Sequence, residues 1–406
     1  MPQVLTNVHQ LAICPAGSPF DDAGLVRDAA LAWNDPGRVI FAGRAADLPS
    51  DLHSSPTIDA QGATVIPGLV DCHTHLAFAG WRADEFTLRC KGADYAEIAA
   101  RGGGILRTVT ATRAASEDEL VERSRGFLAV MLRLGATTVE CKSGYGLTLD
   151  DELKLLRVYR RLRADFPGTL VSTFLGSHVV PPEFRDDRAA YVRLVCEQMI
   201  PRIAGEKLAA FCDVFVEHGA FTPDEARQIS SAAKPHGLRP KLHADQLADG
   251  GGAALAAEVG AISADHLEFA SDDGLRAMAA AGVVAVLLPF ASLYLNKPPL
   301  DARRCFALDV PVAVATDFNP GSAPSYHLPF AMTLACTMNR MTPAQALRGA
   351  AIVAARAVGL EHEVGSLEPG KRADFALLDA ESVEHWLYHL RPNAVVGVYT
   401  AGRRVV

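Results

Sequence analysis

The pattern of apolar and polar positions changes near residue 66. Before that point, short apolar runs of strand length are separated by Gly, Pro and Asp, which is typical of a small β module. These runs cover residues 4–8, 9–13, 39–42 and 57–58. Three similar runs end the chain, at residues 374–378, 395–399 and 404–406. We therefore expect the two chain ends to build one small β-sandwich domain together.

Between these ends, apolar runs rich in β-branched residues alternate with amphipathic helical stretches. Eight such runs are predicted to be strands, at residues 65–71, 137–141, 170–175, 212–216, 240–242, 261–264, 283–288 and 312–315. Strands that alternate with helices in this number indicate an α/β fold of the (β/α)8, or TIM-barrel, kind. The predicted division is a composite domain of residues 1–66 plus 365–406 and a barrel domain of residues 67–364.

Helix starts are marked by residues that cap backbone N–H groups. Four such starts are predicted, at Ser116, Thr148, Thr222 and Thr342. Ser116 and Thr342 are each followed three residues later by Glu or Gln, which is the spacing of a capping box. These signals place helices after several of the predicted strands.

A doubly wound α/β sheet is the alternative architecture. That fold normally carries a glycine-rich phosphate turn directly after its first strand. The glycine-rich candidate, Gly-Gly-Gly-Ile at residues 102–105, does not directly follow a predicted strand and does not end in Gly-Lys-Ser/Thr. We expect a tightly turning or flexible loop there, or a loop laid over a functional site, and we favour the barrel.

Polar side chains follow nearly every predicted strand. In a (β/α)8 barrel the carboxyl ends of the strands meet at one rim, where functional side chains lie. The residues in these positions are His73, His75, Lys142, Ser143, Tyr145, His178, Glu217, His218, His243, Asp245, Gln246, Asp265, His266, Asp317 and Asn319. Packing alone does not account for so many imidazoles and carboxylates along one rim. The sequence therefore predicts a polar functional site there.

Four of these residues form a predicted metal site. His73 and His75 lie two residues apart at the end of a strand, so their side chains share one face. His243 and Asp317 follow the fifth and eighth predicted strands. Imidazole and carboxylate donors without thiolates suit Zn or Fe, and they leave room for a water whose pKa falls toward ~7. His266 is a candidate base, and Asp317 can both bind the metal and accept a proton from the attacking water.

Composition excludes several other functions. The formal net charge is −8 and Lys and Arg are not gathered into a stripe, so a nucleic-acid partner is not expected. No apolar run is long enough to span a membrane, and the first residues lack the pattern of a signal peptide. The eight cysteines include no Cys-x-x-Cys pair, so we expect reduced thiols in a cytoplasmic protein.

Two groups of motifs run through the chain in order. The first comprises Ile-Pro-Gly-Leu-Val-Asp-Cys-His-Thr-His at residues 66–75, the later His243, His266 and Asp317, and the closing residues 365–374. The second comprises Lys-Ser-Gly-Tyr-Gly at residues 142–146, Asp-Phe-Asn-Pro-Gly-Ser at residues 317–322, and the segments at residues 78–82, 102–105, 173–178, 243–246 and 263–267. The first group resembles the amidohydrolase superfamily. The second resembles, within it, the imidazolonepropionase family of ring-opening hydrolases.

This resemblance implies an activity and a set of site residues. It implies hydrolysis of the cyclic amide C–N bond of 4-imidazolone-5-propanoate to N-formimino-L-glutamate, a step of histidine degradation, by a metal-activated water. It implies a homodimer with one Zn or Fe ion per subunit, bound by His73, His75, His243 and Asp317. The residues that it implies for substrate binding are Arg82, Tyr145, His178, Gln246, Asn319, Gly321 and Ser322. The planar guanidinium of Arg82 suits the carboxylate tail of this substrate.

Two further observations narrow the chemistry. The fourth predicted strand has no Lys where superfamily members with two metal ions carry a carbamylated one, so we expect one ion. Gln246 stands where deaminases of the superfamily use Glu, and an amide can orient a substrate but cannot relay a proton. Another cyclic-amide hydrolase or a deaminase remains the alternative enzyme. A catalytically silent scaffold is the alternative of another class, but it would have lost a metal ligand, and none of the four is missing.

Overall fold

The computed structural model describes residues 1–93 and 103–406, so the glycine-rich segment at residues 102–105 is described only from Gly103 onward. The described chain alternates strands and helices through its middle and carries further strands at both ends. The strands are β1 (Gln3–Ala12), β2 (Leu25–Trp33), β3 (Val39–Arg44), β4 (Thr57–Asp59), β5 (Thr64–Pro67), β6 (Leu69–Asp71), β7 (Ala136–Lys142), β8 (Thr169–Ser177), β9 (Phe211–Val216), β10 (Arg239–Ala244), β11 (Ser263–His266), β12 (Val284–Leu287), β13 (Val312–Val314), β14 (Phe375–Leu378), β15 (Val395–Thr400) and β16 (Arg403–Arg404).

Strands β6 to β13 form the predicted eight-stranded barrel. They are parallel and lie side by side in chain order, which confirms the (β/α)8 expectation. Their side chains are almost all buried, as expected for strands covered by helices on the outside and filled by side chains within. The carboxyl ends of these strands meet at one rim, and most of the predicted site residues lie at this rim.

Backbone contacts just beyond β6 and β13 close the barrel. Thr74 and Phe318 form a parallel bridge. The N–H of His75 donates to the Phe318 carbonyl at 2.8 Å, and the N–H of Asp317 donates to the His73 carbonyl at 3.0 Å. The closing contact therefore runs through the two segments that carry three of the four predicted metal ligands, and it fixes those segments against each other.

Helices connect most of the barrel strands, and all four predicted capping residues are N-caps in the structure. The capping boxes at Ser116 and Thr342 are both formed. The helices are α1 (Ala83–Cys90), α2 (Ile105–Ala114), α3 (Glu117–Arg133), α4 (Leu149–Asp165), α5 (Arg188–Leu194), α6 (Ile200–Gly205), α7 (Pro223–Ala233), α8 (Gly252–Glu258), α9 (Asp272–Ala281), α10 (Pro289–Leu295), α11 (Ala302–Ala307), α12 (Leu328–Thr337), α13 (Pro343–Gly349), α14 (Ile352–Ala357) and α15 (Val383–Tyr388). Across the described ranges, every helix is too short or too polar to cross a lipid bilayer.

Both chain ends contribute to a second, mixed sheet. Its order is β16-β15-β14-β5-β1-β2-β3, with β4 paired to β1. Trp33, Phe375 and Tyr399 pack in its core, and the rings of Phe375 and Tyr399 stack with centroids 4.4 Å apart. The expected β module built from the two chain ends is therefore confirmed. Its longest strands, β1 and β2, differ from the prediction. The two runs predicted at residues 4–8 and 9–13 form the single strand β1, and β2 was not predicted.

The strand expected over residues 65–71 is wrong as a single element, because it divides at Gly68. Its first half, β5, pairs with the terminal strands β1 and β14, whereas its second half, β6, opens the barrel. A Cβ on Gly68 would lie 2.2 Å from Thr137 Oγ1, so only glycine fits where the chain passes between the sheets. Both halves are buried and apolar, so hydrophobicity alone does not reveal the division.

Candidate active site

Three imidazoles and one carboxylate converge at the rim of the barrel. One ligating atom from each of His73, His75 and His243 lies within 4.8 Å of the others, and all three side chains are buried. Asp317 Oδ1 lies 3.5 Å from His73 Nε2 and 3.5 Å from His75 Nε2. The structure therefore brings together all four residues that the sequence predicts as metal ligands.

Buried carboxylates contact the Nδ1 atoms of two of these histidines. His73 Nδ1 lies 2.6 Å from Asp265 Oδ2, and His243 Nδ1 lies 3.1 Å from Asp213 Oδ1. A carboxylate on Nδ1 keeps the proton on that nitrogen and leaves the lone pair on Nε2. The Nε2 atoms of both histidines are buried and form no hydrogen bond within the described ranges. Buried ring nitrogens without a hydrogen-bond partner, in a group whose ligating atoms lie within 4.8 Å of one another, fit a metal ion.

The pKa shifts differ among the three imidazoles. Burial lowers the pKa of His243 to about 3 and also lowers that of His75, so both imidazoles are neutral. Burial and Lys142 also act to lower the pKa of His73, but the carboxylates of Asp265 and Asp317 beside it raise it overall. Burial raises the pKa of Asp317, but contacts with His73 and His75 more than offset this and hold it well below the ordinary range. Neutral imidazoles beside an ionised carboxylate are the forms that coordinate metal ions.

His266 lies beside this cluster. Its ring centroid is 5.5 Å from that of His243 and 5.9 Å from that of His73. Its φ is 79°, and Leu267 and Asp317 also have positive φ, of 68° and 55°. Non-glycine residues rarely adopt this conformation, and such strain is common where a side chain must be aimed at a functional site. The imidazole of His266 therefore lies next to the predicted metal ligands, and its role as a base stays a prediction.

Tyr145 and His178 form one wall beside His75. The His178 ring stacks on His75 with centroids 5.2 Å apart, and the Tyr145 ring is 5.8 Å from His75 and 5.6 Å from His178. His178 Nδ1 lies 3.1 Å from the Gly144 carbonyl, to which it donates, and burial lowers its pKa well below the ordinary value. His178 is therefore neutral, with its Nε2 as an acceptor.

Arg82 and Gly321 are in direct contact. Arg82 precedes α1 and is buried, and its Nε forms no hydrogen bond with the described part of the chain. A Cβ on Gly321 would lie 1.4 Å from Arg82 Nη2, so the guanidinium occupies the space that the missing side chain leaves. Arg89 Nη2 donates to the Gly321 carbonyl at 3.0 Å. An arginine that is buried and only partly paired is suited to binding an anionic group.

Asn319 and Ser322 belong to the same loop as Asp317. Asn319 Oδ1 accepts the backbone N–H groups of Gly321 and Ser322, each at 2.8 Å, and its Nδ2 donates to the Asp317 carbonyl at 2.7 Å. These contacts fix the loop that leads from the metal cluster to the Arg82 contact. Gln246 follows β10 and is partly exposed. Direct contact of Asn319, Ser322 and Gln246 with a substrate stays a prediction.

Comparison with known proteins decides the family. The chain matches the Amidohydrolase family over residues 64–405. It is 50% identical over 405 residues to an imidazolonepropionase of Geobacillus thermodenitrificans, covering 100% of this chain and 93% of that protein. It is 51% identical over 395 residues to an imidazolonepropionase of Symbiobacterium thermophilum, covering 96% of this chain and 93% of that protein. The chain belongs to the imidazolonepropionase family. The predicted resemblance and the expectation of a hydrolase are both confirmed.

Solved structures of more distant proteins share the fold of this imidazolonepropionase-family chain. An adenosine deaminase from Xanthomonas campestris with bound zinc superimposes with a TM-score of 0.74 at 18% identity, covering 99% of this chain and 92% of that one. A guanine deaminase from C. acetobutylicum superimposes with a TM-score of 0.73 at 13% identity, covering 100% of both. At these identities the likeness establishes the architecture of the chain.

Sequence reasoning missed the residues that support the site. Asp213 and Glu140 lie inside predicted strands. Lys142 and Asp265 lie at the ends of predicted strands, but the sequence predicts no specific role for them. A charged residue within an otherwise apolar strand could have identified Asp213 and Glu140, because a charged side chain is buried only when it has a partner of opposite charge or a hydrogen-bond partner. His218, by contrast, is predicted at the rim but is exposed, and it does not belong to the group of possible metal ligands found among the described residues.

Glu152 is a second missed residue, and it shapes the loop that carries Tyr145. The Glu152 carboxylate is buried and accepts the backbone N–H groups of Gly146 and Leu147 at 2.8 Å each and that of Gly144 at 3.1 Å. Three donors converge on one carboxylate, so the loop has a single conformation. Burial nevertheless raises the pKa of Glu152.

We expect Glu152→Gln to loosen this loop. The N–H of Gly144 lies 3.2 Å from Oε1 and 3.1 Å from Oε2, so an amide nitrogen in place of Oε2 would set two donors against each other in a buried site, at a cost of about 2 kcal/mol. The midpoint of thermal unfolding falls and KM for the substrate rises, because Tyr145 is no longer held beside His178. Asp150→Asn is the matched control, since Asp150 is exposed in the first turn of the same helix. Equal unfolding midpoints and equal KM values in the two variants would contradict the role given to Glu152.

We expect Gly321→Ala to displace Arg82 without unfolding the protein. The added methyl group overlaps the far end of a flexible side chain, so Arg82 moves and the backbone stays. If Arg82 binds the substrate carboxylate, KM rises about 10- to 100-fold, the equivalent of losing one charge-assisted interaction. Steady-state kinetics measure this. Gly126→Ala, where the new methyl group meets no atom within 4 Å, is the control and should leave KM unchanged.

Proposed function

We propose that this member of the imidazolonepropionase family hydrolyses the cyclic amide C–N bond of 4-imidazolone-5-propanoate to N-formimino-L-glutamate in histidine degradation. Water attacks the ring carbonyl carbon, the bond from that carbon to the ring nitrogen breaks, and the nitrogen takes up a proton. The carbonyl carbon becomes a carboxylate. The observation that most supports this reaction is the convergence of His73, His75, His243 and Asp317 in a chain of this family.

The donor set fits a metal ion. The Nε2 atoms of His73 and His243 are buried and have no hydrogen-bond partner among the described residues, and an ionised carboxylate lies beside them. We propose one Zn or Fe ion per subunit, held by His73, His75, His243 and Asp317. When bound, such an ion makes water a competent nucleophile at neutral pH. We propose a single ion because Glu217, the carboxylate after the fourth barrel strand, already accepts two backbone N–H groups.

His266 and Asp317 are the proposed proton carriers. One of them takes the proton from the attacking water, and one delivers a proton to the leaving nitrogen. Burial lowers the pKa of His266, but Glu268, whose Oε1 lies 3.6 Å from His266 Nδ1, raises it, and the net shift is upward. An imidazole of raised pKa is protonated to a larger extent at a given pH, and in that form it can stabilise negative charge on the attacked carbonyl oxygen.

Substrate binding is proposed to use both sides of the rim. Arg82 would bind the propanoate carboxylate, since its guanidinium is buried and its Nε lacks a partner among the described residues. Tyr145 and His178 would contact the ring from the wall beside His75. The remaining predicted contacts come from the loops after β10 and β13, at Gln246, Asn319, Gly321 and Ser322. In this proposal the ring carbonyl of the substrate faces the metal ligands and its propanoate tail faces Arg82.

A turnover assay tests the proposal. Purified protein is mixed with 4-imidazolone-5-propanoate, the ultraviolet absorption of the ring is followed, and bound metal is determined by elemental analysis. We expect absorption to fall only with metal-loaded protein, to stop after chelation, and to resume when Zn or Fe is restored. Metal-loaded protein that leaves this compound intact but deaminates a purine or opens another cyclic amide would favour the alternative enzyme.

Three further predictions accompany this function. We propose a homodimer, a cytoplasmic location, and the division into residues 1–66 plus 365–406 and residues 67–364. The division is supported by the strands, since β5 pairs with the terminal sheet and β6 with the barrel. Size-exclusion chromatography with light scattering measures the oligomeric state, and a monomer at assay concentration would contradict the dimer.

A further inference from the structure

We propose that Lys142 is a positioning residue that fixes the two carboxylates behind His73 and His243 and thereby sets the affinity of the site for its metal ion. Lys142 belongs to the Lys-Ser-Gly-Tyr-Gly motif at residues 142–146, to which the proposed function gives no role except at Tyr145. The inference rests on the proposed metal site, but its test needs no substrate.

The Lys142 ammonium lies inside the barrel, beneath the metal cluster. Its side chain is fully buried, and Nζ is 2.7 Å from Asp213 Oδ2, 3.2 Å from Glu140 Oε1 and 3.3 Å from Asp265 Oδ2. Three carboxylates thus surround the three donors of one ammonium group. Burial alone would lower the pKa of Lys142, but Asp213, Glu140 and Asp265 raise it well above the ordinary value. The side chain is therefore a permanent cation.

Each aspartate is held between Lys142 and a metal ligand. Asp213 presents Oδ2 to Lys142 and Oδ1 to His243 Nδ1. Asp265 presents Oδ2 to both Lys142 and His73 Nδ1, while its Oδ1 accepts the Ser263 hydroxyl. A carboxylate bound at two points cannot rotate about its last bond, so its partner imidazole keeps a fixed plane. Lys142 thus reaches two metal ligands through two separate carboxylates.

Without this cation, two negative charges would face each other in the barrel interior. Asp213, His243 and Asp265 have ligating atoms within 4.8 Å of one another, so the two carboxylates are close neighbours. Like charges at this separation repel strongly in a buried site, and the carboxylates would turn away from each other. That movement would release the Nδ1 atoms that they hold. The expected consequence is weaker metal binding, because outer contacts to metal-ligating histidines are typically worth about 10- to 100-fold in affinity.

Lys241 provides a matched control within the same interior. Its side chain is equally buried, and its Nζ is 3.0 Å from Glu140 Oε1, 3.3 Å from the Ala357 carbonyl and 3.5 Å from the Cys72 carbonyl. It makes no ion pair with Asp213 or Asp265 within the described residues. Replacing either lysine with methionine removes one buried cation and one bond to Glu140. Only Lys142→Met also releases both aspartates.

The test is the dissociation constant for Zn²⁺, measured on metal-free protein by competition with a chromophoric chelator. We expect Lys142→Met to raise this constant about 10- to 100-fold and Lys241→Met to raise it less than about threefold, within the scatter of indirect effects. A purely structural role would lower the thermal unfolding midpoint of metal-free Lys142→Met and leave the zinc constant as in the wild type. That result, or an equal loss in Lys241→Met, would overturn the inference.

Two further measurements keep the outcomes separate. If Lys142→Met does not fold, Lys142→Gln, which keeps the length and a donor without the charge, replaces it under the same criteria. Wild-type protein that fails to bind Zn²⁺ or Fe²⁺ would refute the proposed metal site itself. Wild-type binding with an unaltered Lys142 variant would refute only the role of Lys142. At saturating metal we expect KM for the substrate to be unchanged in Lys142→Met, because this side chain lies below the rim.

Discussion

Replacing His243 with alanine should reduce hydrolysis of 4-imidazolone-5-propanoate by about 10³-fold or more. His243 is the one imidazole of the cluster contributed by β10, and its Nε2 is buried without a hydrogen-bond partner in the described chain. Removing it leaves the metal with ligands from only one side of the barrel, at the β6 and β13 ends. A bound metal ion contributes several kcal/mol to the attack of water, and each 1.36 kcal/mol is a factor of ten in rate.

The control for this variant is His218→Ala. His218 also follows a barrel strand, but it is exposed and lies outside the cluster. Elemental analysis should find that His243→Ala purifies with little metal, whereas His218→Ala keeps the wild-type amount and the wild-type rate. His243→Ala with normal metal content and normal turnover would show that this histidine is not a ligand.

Replacing His266 with alanine should lower kcat by about 10²- to 10⁴-fold, the usual contribution of a positioned acid or base. Unlike His243→Ala, this variant should retain its metal, because His266 lies beside the ligand cluster and is not part of it. A loss of turnover without a loss of metal therefore assigns His266 to proton transfer or to stabilisation of charge.

The companion variant Glu268→Gln tests whether the protonated form of His266 is the one that acts. Glu268 is partly buried, its Oε1 accepts the Ser292 hydroxyl at 3.2 Å, and it raises the pKa of His266 more than Asp317 or Asp265 does. With a neutral amide at position 268, the pKa of His266 falls. The imidazole of His266 therefore loses its proton at a lower pH than in the wild type. If protonated His266 is needed, the alkaline limb of the pH profile of kcat shifts to lower pH. Full turnover by His266→Ala would remove this residue from the mechanism.

The sequence was sufficient to predict the rim of the barrel. His73, His75, His243, His266 and Asp317 all follow apolar strands, and parallel strands place their carboxyl ends together. Such a prediction needs only local patterns and one topological rule. The four predicted metal ligands follow from these patterns, and the structure brings their side chains within reach of one another.

The interior below the rim was not predictable in the same way. Asp213 and Glu140 are single charges inside strands, and their partner Lys142 is 71 residues from Asp213 in sequence. The pairing of these charges depends on the register of strands β7 to β11, and local sequence patterns do not specify that register. A charged residue in an apolar strand signals a buried partner, but not the identity of that partner.

The terminal sheet shows a second limit of local patterns. Strand β2 was not expected because it is rich in alanine and contains Arg27 and Asp28, which are poor strand formers. Asp28 has a φ of 48°, and the pairing of β1 with β2 is irregular nearby, between Leu5 and Val8. This strand forms because β1 and β3 pair with it on both sides. Tertiary pairing thus overrides weak local propensity.

The most direct test of the proposed chemistry is the fate of oxygen from water. The metal-loaded protein is incubated with 4-imidazolone-5-propanoate in ¹⁸O-labelled water, and the product is analysed by mass spectrometry. If water attacks the ring carbonyl, N-formimino-L-glutamate forms with one heavy oxygen in its new carboxylate, at a rate that falls about 10³-fold in His243→Ala. Loss of substrate without this labelled product, or equal labelling by His243→Ala, would contradict hydrolysis at the His73, His75, His243 and Asp317 site.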